Sequence, residues 1–161
     1  MIVVSNTSPI VNLAVVGQLD LLRQLYDKVI IPQSVRDEIV IAGEGQPGAT
    51  EVSSLEWIET RQVTDRPLLA SLRLELDEGE AEAITLAIEM RANLLLLDER
   101  KGRAIAARLG LQFVGLLGVL LEAKHAGLIP AVKPLVDDLV TKAGFWIGQE
   151  LYEHVLQAVG E

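Results

Sequence analysis

The run Leu94-Leu95-Leu96-Leu97 stops abruptly at Asp98, and it constrains the fold of this chain more than any other stretch. Four consecutive leucines do not alternate, so a strand made from them is apolar on both faces. Such strands belong to parallel sheets covered by helices on both sides. Residues 2–5 and 29–31 are two more runs of this kind, the second ended by Pro32. Residues 57–63 read as a weaker third strand, and Phe113-Val114 as a short fifth. Helical spacing fills the intervals. Ser8-Pro9 offers an N-cap and first helical residue for a helix stopped by Gly17. Further helices are predicted at about 19–25, 34–42, 68–76, 78–91 and 99–109, with Asp77 capping the fourth of these and Gly110 ending the last. Residues 43–50, with three glycines and a proline, read as a loop. Three more helices follow at about 116–126, 131–143 and 148–159. Strands alternating with helices predict an α/β fold of three layers, α/β/α, around a short parallel sheet. Residues 1–161 read as one domain, with about 128–161 as a C-terminal helical extension.

Composition narrows the chemistry. The chain has no cysteine and two histidines, which removes disulfides, thiolate zinc sites, cysteine nucleophiles and three-histidine metal sites. Its net charge of −9 argues against a surface that coats nucleic acid broadly. The charge is segregated, however. Residues 35–99 hold 15 acids and five bases, whereas Arg100, Lys101, Arg103 and Arg108 follow within nine acid-free residues. An acidic region abutting a basic cluster suits a cation site facing a phosphate; a solvated surface would show the same pattern. Residues 1–4 lack a basic flank and run into a polar turn, so they do not read as a signal peptide. The longest apolar stretch, 113–121, is far short of the roughly 20 residues that span a bilayer. A soluble cytoplasmic protein, with no membrane partner, is the expectation.

In open parallel sheets, ligands bind beyond the carboxyl ends of the strands, where strand order reverses. Ser5-Asn6-Thr7-Ser8 follows the first strand, Arg36-Asp37-Glu38 the second, and Asp98-Glu99-Arg100-Lys101 the fourth; Glu80 and Glu82 begin the helix before the fourth. No glycine-rich phosphate loop and no nucleophile elbow is present. Carboxylates without histidine or cysteine favour hard divalent cations, chiefly Mg²⁺ or Mn²⁺. Each residue also has a purely structural reading. Asp98 can cap the next helix, Glu38 can be an exposed helix residue, and Asp77, Glu78, Glu80 and Glu82 can complement a helix dipole. Asn6 can cap the first helix or close an Asx turn. His125 and His154 read as surface residues, and Trp57 and Trp146 as packing anchors rather than stacking platforms. Val119, Leu120, Val155 and Leu156 read as core, with contact surface as the alternative.

Five segments in order, VVSNTSPIVNLA, IPQSVRDEIV, DEGEAEAITLA, LLLLDERKGRAIA and FVGLLGVLLEAKHAGLI, cover most of the chain. Together they resemble the PIN domain, the fold of the VapC-type toxin ribonucleases, and in particular a PIN-like prokaryotic family related to VapC. The resemblance implies a metal-dependent endoribonuclease that hydrolyses RNA with a Mg²⁺- or Mn²⁺-activated water. It also implies an antitoxin partner and a homodimer. The four acidic positions of that family are matched by Asn6, Glu38, Glu80 and Asp98. The resemblance makes Glu38, Glu80 and Asp98 the metal ligands, with Asn6 orienting a water or phosphate. Thr7 or Ser8 would supply the small hydroxyl beside the first position, and Ser8, Arg100, Lys101 and Arg103 would contact substrate. Two departures are plain: Asn6 brings an amide where the family has an acid, and Arg100-Lys101 stand where many relatives carry a second aspartate. Those departures leave a second reading open, a catalytically weakened module that binds nucleic acid or protein. A receiver-like phosphoacceptor would want two acids after the first strand and finds Ser5-Asn6 instead.

Overall fold

A computed structural model describes all 161 residues. Five strands, β1 (Val3–Ser5), β2 (Val29–Pro32), β3 (Ile58–Arg61), β4 (Leu94–Leu96) and β5 (Phe113–Val114), form one sheet in the order β3-β2-β1-β4-β5, with every pairing parallel. The expected α/β/α architecture with a short parallel sheet is what the chain adopts. Strand β1 is central, with Val3, Val4 and Ser5 in register with Leu94, Leu95 and Leu96.

The lack of alternation in the strands has its physical counterpart on the two faces of the sheet. Val3, Val29, Ile31 and Leu96 join one apolar cluster, while Val4, Ile30, Leu95 and Leu97 join the other. Both sets lie below a tenth exposed, so these residues are buried whichever way they point. Helices α1 (Thr7–Val15), α2 (Asp20–Tyr26), α8 (Leu116–His125), α9 (Lys133–Lys142) and α10 (Gln149–Ala158) cover the first face. Helices α5 (Arg66–Leu72), α6 (Glu78–Glu89) and α7 (Arg100–Arg108) cover the second. Val119, Leu120, Val155 and Leu156 are interior. No helix is long and apolar enough to cross a membrane.

Three local features differ from expectation. The helix after β2 begins as α3 (Gln33–Arg36) but widens into a π-helical stretch, Asp37–Ala42. A short helix, α4 (Ala49–Ser54), follows the glycine-rich loop and buries Ala49 and Val52. Helix α1 starts at Thr7, so Asn6 rather than Ser8 occupies its cap position. The paired expectation for the tryptophans also divides. Trp57 packs against the first cluster as expected, but Trp146 is 84% exposed on the connector between α9 and α10 and anchors no core.

Candidate active site

Strand order reverses between β1 and β4, and the carboxyl ends of those strands open the crevice where parallel sheets bind ligands. Asn6 leaves β1 there. Its backbone N–H donates to Leu96 O at 3.0 Å, and the residue is buried. Although Asn6 occupies the cap position of α1, its side chain makes no capping hydrogen bond. The capping explanation for this amide therefore fails.

Glu38 approaches from the π-helical stretch. Wide turns of this kind recur at functional sites because they aim a residue off the regular helical phase. Thr7 Oγ1 donates to Glu38 Oε2 at 2.8 Å, so Thr7, not Ser8, is the hydroxyl that binds an acid of the site. Ser8 follows in the first turn of α1. The floor beneath Asn6 and Glu38 is Gly79. A Cβ at that position would stand 3.3 Å from both Asn6 Oδ1 and Glu38 Oε2. Two oxygens thus converge where a side chain larger than hydrogen would crowd them.

The acids at the start of α6 point to three different partners. Glu78 pairs with Arg73, whose guanidinium holds that carboxyl below its usual range. Glu82 accepts from Ser34 N at 3.3 Å, and burial raises its pKa. Glu80 faces Asp77 and Glu99. Burial first, then the neighbouring Asp77 carboxylate and the charge of Glu99, push Glu80 up to about 7. Glu80 is therefore placed to gain or lose a proton near neutrality.

Asp98 follows β4 and divides its two oxygens. Oδ1 accepts the N–H of Leu116, the first residue of α8, at 2.8 Å. Oδ2 is buried and has no partner. Burial raises the Asp98 pKa, while the Leu116 N–H and the Arg103 charge pull it back. The helix-capping role that sequence offered to Asp98 is taken by Glu99, which accepts from Lys101 N at the start of α7. Gly115 makes the Asp98–Leu116 bond sterically feasible, since a Cβ there would stand 2.6 Å from Asp98 Oδ1.

Beyond these acids lie Arg100, Lys101 and Arg103. None of the three enters an ion pair, whereas Arg108 reaches Glu75 at 3.7 Å as a solvated helix charge. Arg103 stacks over the Phe113 ring, 5.0 Å from its centroid.

No three Asp, Glu or His side chains stand close enough to share one ion. The donor set still fits a Mg²⁺-like cation. It is oxygen only, and Asp98 Oδ2 is a buried carboxylate oxygen with nothing to satisfy it. Mg²⁺ also keeps several waters and commonly takes one or two protein carboxylates plus substrate phosphate rather than a closed protein cage. Asp98 would hold such an ion, with Asn6 at the end of the neighbouring strand.

Sequence reasoning missed Glu99, Gly79 and Gly115. For Glu99 the signal was present, an acid directly after Asp98. The two glycines matter through residues distant in sequence, and no local pattern marks them.

No curated protein matches the chain at a significant level of similarity. A family model described as a PIN domain matches residues 2–161. PIN domains are of nuclease type and generally use divalent metal ions. With that match spanning nearly every residue, and with an all-parallel sheet that gathers Asn6 and Asp98 at its switch point, the chain belongs to the PIN-domain family.

Proposed function

We propose that this PIN domain is a Mg²⁺- or Mn²⁺-dependent endoribonuclease of the VapC-like toxin kind, cytoplasmic, homodimeric and restrained by a cognate antitoxin. The observation that carries the catalytic part is Asp98. It is a buried carboxylate at the crevice, with one oxygen committed to α8 and the other unpartnered.

Bound there, a divalent cation supplies charge to a phosphodiester and acidity to an attacking water. The protein residues do the remaining work. Asp98 fixes the position of positive charge at the crevice. Asn6 presents an amide that orients a water or phosphate oxygen without adding charge. Glu38, held by Thr7, keeps its carboxylate facing the same floor. Glu80 can hold or release a proton at neutral pH, which suits a group that takes a proton from water or gives one to the leaving oxygen. Ser8, Arg100, Lys101 and Arg103 supply contacts to RNA, none of the three bases being tied up in a salt bridge.

Cleavage of a single-stranded RNA with Mg²⁺ or Mn²⁺ tests the reading. Wild type should cleave, Asp98→Asn should not, and Asn6→Asp should cleave faster. No cleavage by wild type and no rescue by Asn6→Asp would end the nuclease reading. Asn6 itself favours the second reading, a module that binds nucleic acid or protein without cutting it, because it removes one of four charges from the ligand set.

A further inference from the structure

An open groove of about 1160 Å³ begins at Asp98 and runs between α7, β5, α8 and α10. Its charged lining is Arg100 and Arg103 against the single acid Asp98, with the His154 imidazole farther along. Its far wall carries Trp146, 84% exposed, and Leu151, half exposed. Neither tryptophan burial nor core packing explains Trp146. An indole this open loses little by being covered, and its face is free for a planar partner.

We propose that this groove is a subsite for single-stranded RNA flanking the scissile phosphate, with an unpaired base stacked on Trp146 and backbone phosphates held by Arg100 and Arg103. This deepens, and rests on, the nuclease reading. Three observations converge on a polyanion with exposed planar rings. The groove is continuous with Asp98, so a chain bound at the crevice must leave through it or past its rim. Neither Arg100 nor Arg103 closes a salt bridge; Arg103 feels only the charge of Asp98 and Arg100 faces no acid in the groove, so two cations stand against one carboxylate in a chain whose net charge is −9. Arg103 is already stacked on Phe113, which leaves a flat cationic surface on the groove wall. Single strands are bound by this combination of cationic track and aromatic platform, and a duplex, whose bases are stacked on one another, cannot use it.

The test uses a fluorescein-labelled eight-nucleotide single-stranded RNA in low salt with EDTA, which prevents cleavage, and reads anisotropy. Wild type should bind the single strand more tightly than the same strand in a blunt duplex. Trp146→Ala should weaken single-strand binding by about fivefold or more, the scale of one lost base stack. Arg103→Ala should also weaken it and flatten its salt dependence. With Trp57→Phe leaving Trp146 as the sole tryptophan, the RNA should quench its fluorescence. Equal binding by wild type and Trp146→Ala, or equal affinity for the duplex, would overturn the subsite. So would loss of self-association in Trp146→Ala with RNA binding intact, because the groove would then be a protein contact. The two proposals fail separately. Binding through Trp146 with no Mg²⁺- or Mn²⁺-dependent cleavage sinks the nuclease and keeps the subsite. Unchanged cleavage by Trp146→Ala does the reverse.

Discussion

The two halves of the crevice are built on opposite electrostatic principles. On the β1 side, Glu38 is solvent-facing, satisfied by Thr7, and its neighbour Asn6 is neutral. On the β4 side, Glu80 is pressed by burial, Asp77 and Glu99, and Asp98 keeps a buried oxygen without a partner. The first half is at ease without a cation, while the second is frustrated. Frustration of that kind is relieved by a proton or by a metal ion, so on the proposed function the cation would sit on the β4 side, with the β1 side positioning what it acts on.

The largest expected effect tests that assignment directly. Mn²⁺ at about a hundred times its dissociation constant should stabilise the protein by ~2.7 kcal/mol, a rise in Tm of about 5–11 °C for a chain this size. Asp98→Asn should abolish the rise in a thermal melt. It retains an oxygen to accept the Leu116 N–H, so it should cost less stability than Asp98→Ala. An equal rise in Asp98→Asn would move the cation elsewhere.

The two glycines form the next contrast. Gly115→Ala drives a Cβ to 2.6 Å from Asp98 Oδ1, and backbone or carboxylate must shift, at a cost of ~1–3 kcal/mol in denaturant unfolding. Gly79→Ala meets Asn6 and Glu38 at 3.3 Å, Glu38 is free to yield, and alanine gains helix propensity over glycine, so stability should stay within about 0.5 kcal/mol. Equal losses at the two sites would show that the β1 side is as rigid as the β4 side.

Asn6→Asp should erase the difference between the halves. With a second carboxylate beside Glu38, the cation-free protein should melt lower. Its Mn²⁺ affinity by calorimetry should rise about tenfold, the scale of one added charge at partly solvated distance.

The smallest effect concerns pH. The folded pKa of Glu80, about 7, lies above the ordinary 4.5 of a glutamate. Its contribution to stability is therefore full below pH 4.5 and lost as pH rises through 7. Glu82 and Asp98 are raised by burial and act in the same direction. Carboxyls held low by partners, such as Glu78 and Asp137, weaken the fold only in acid below that window. Discounted for the partial exposure of Glu80 to about 1 kcal/mol, Tm should fall by about 2–4 °C from pH 5.5 to 8.5 without cation, and by less in Glu80→Gln.

Much of this was legible in the sequence because it is written in short-range patterns. The doubly apolar strands, Asp77 at the head of α6 and Gly110 after α7 are local signals, and the structure places them where the signals point. The π-helical stretch was hidden because Val35 and Ile39 keep the four-residue spacing of an ordinary helix and are both buried. Helix α4 was hidden by the glycines before it. The division of labour between Asp98 and Glu99 was not readable, since it turns on a hydrogen bond across 18 residues. Trp146 was misread because tryptophan usually packs inside, and nothing local records which way a connector turns.

The π-helical stretch couples the direction of Glu38 to the length of chain that follows β2. It closes at Gly43, where a Cβ would stand 2.6 Å from Ile39 O. A π turn differs from an α turn by one residue of chain, and one residue corresponds to a rotation of about 100° in an α-helix. The direction of Glu38 is therefore set by how many residues separate β2 from the following loop as well as by which residues they are. A single deletion within 40–42 should re-phase this arm of the site against the loop that follows while keeping Glu38 and Ile39 in the chain.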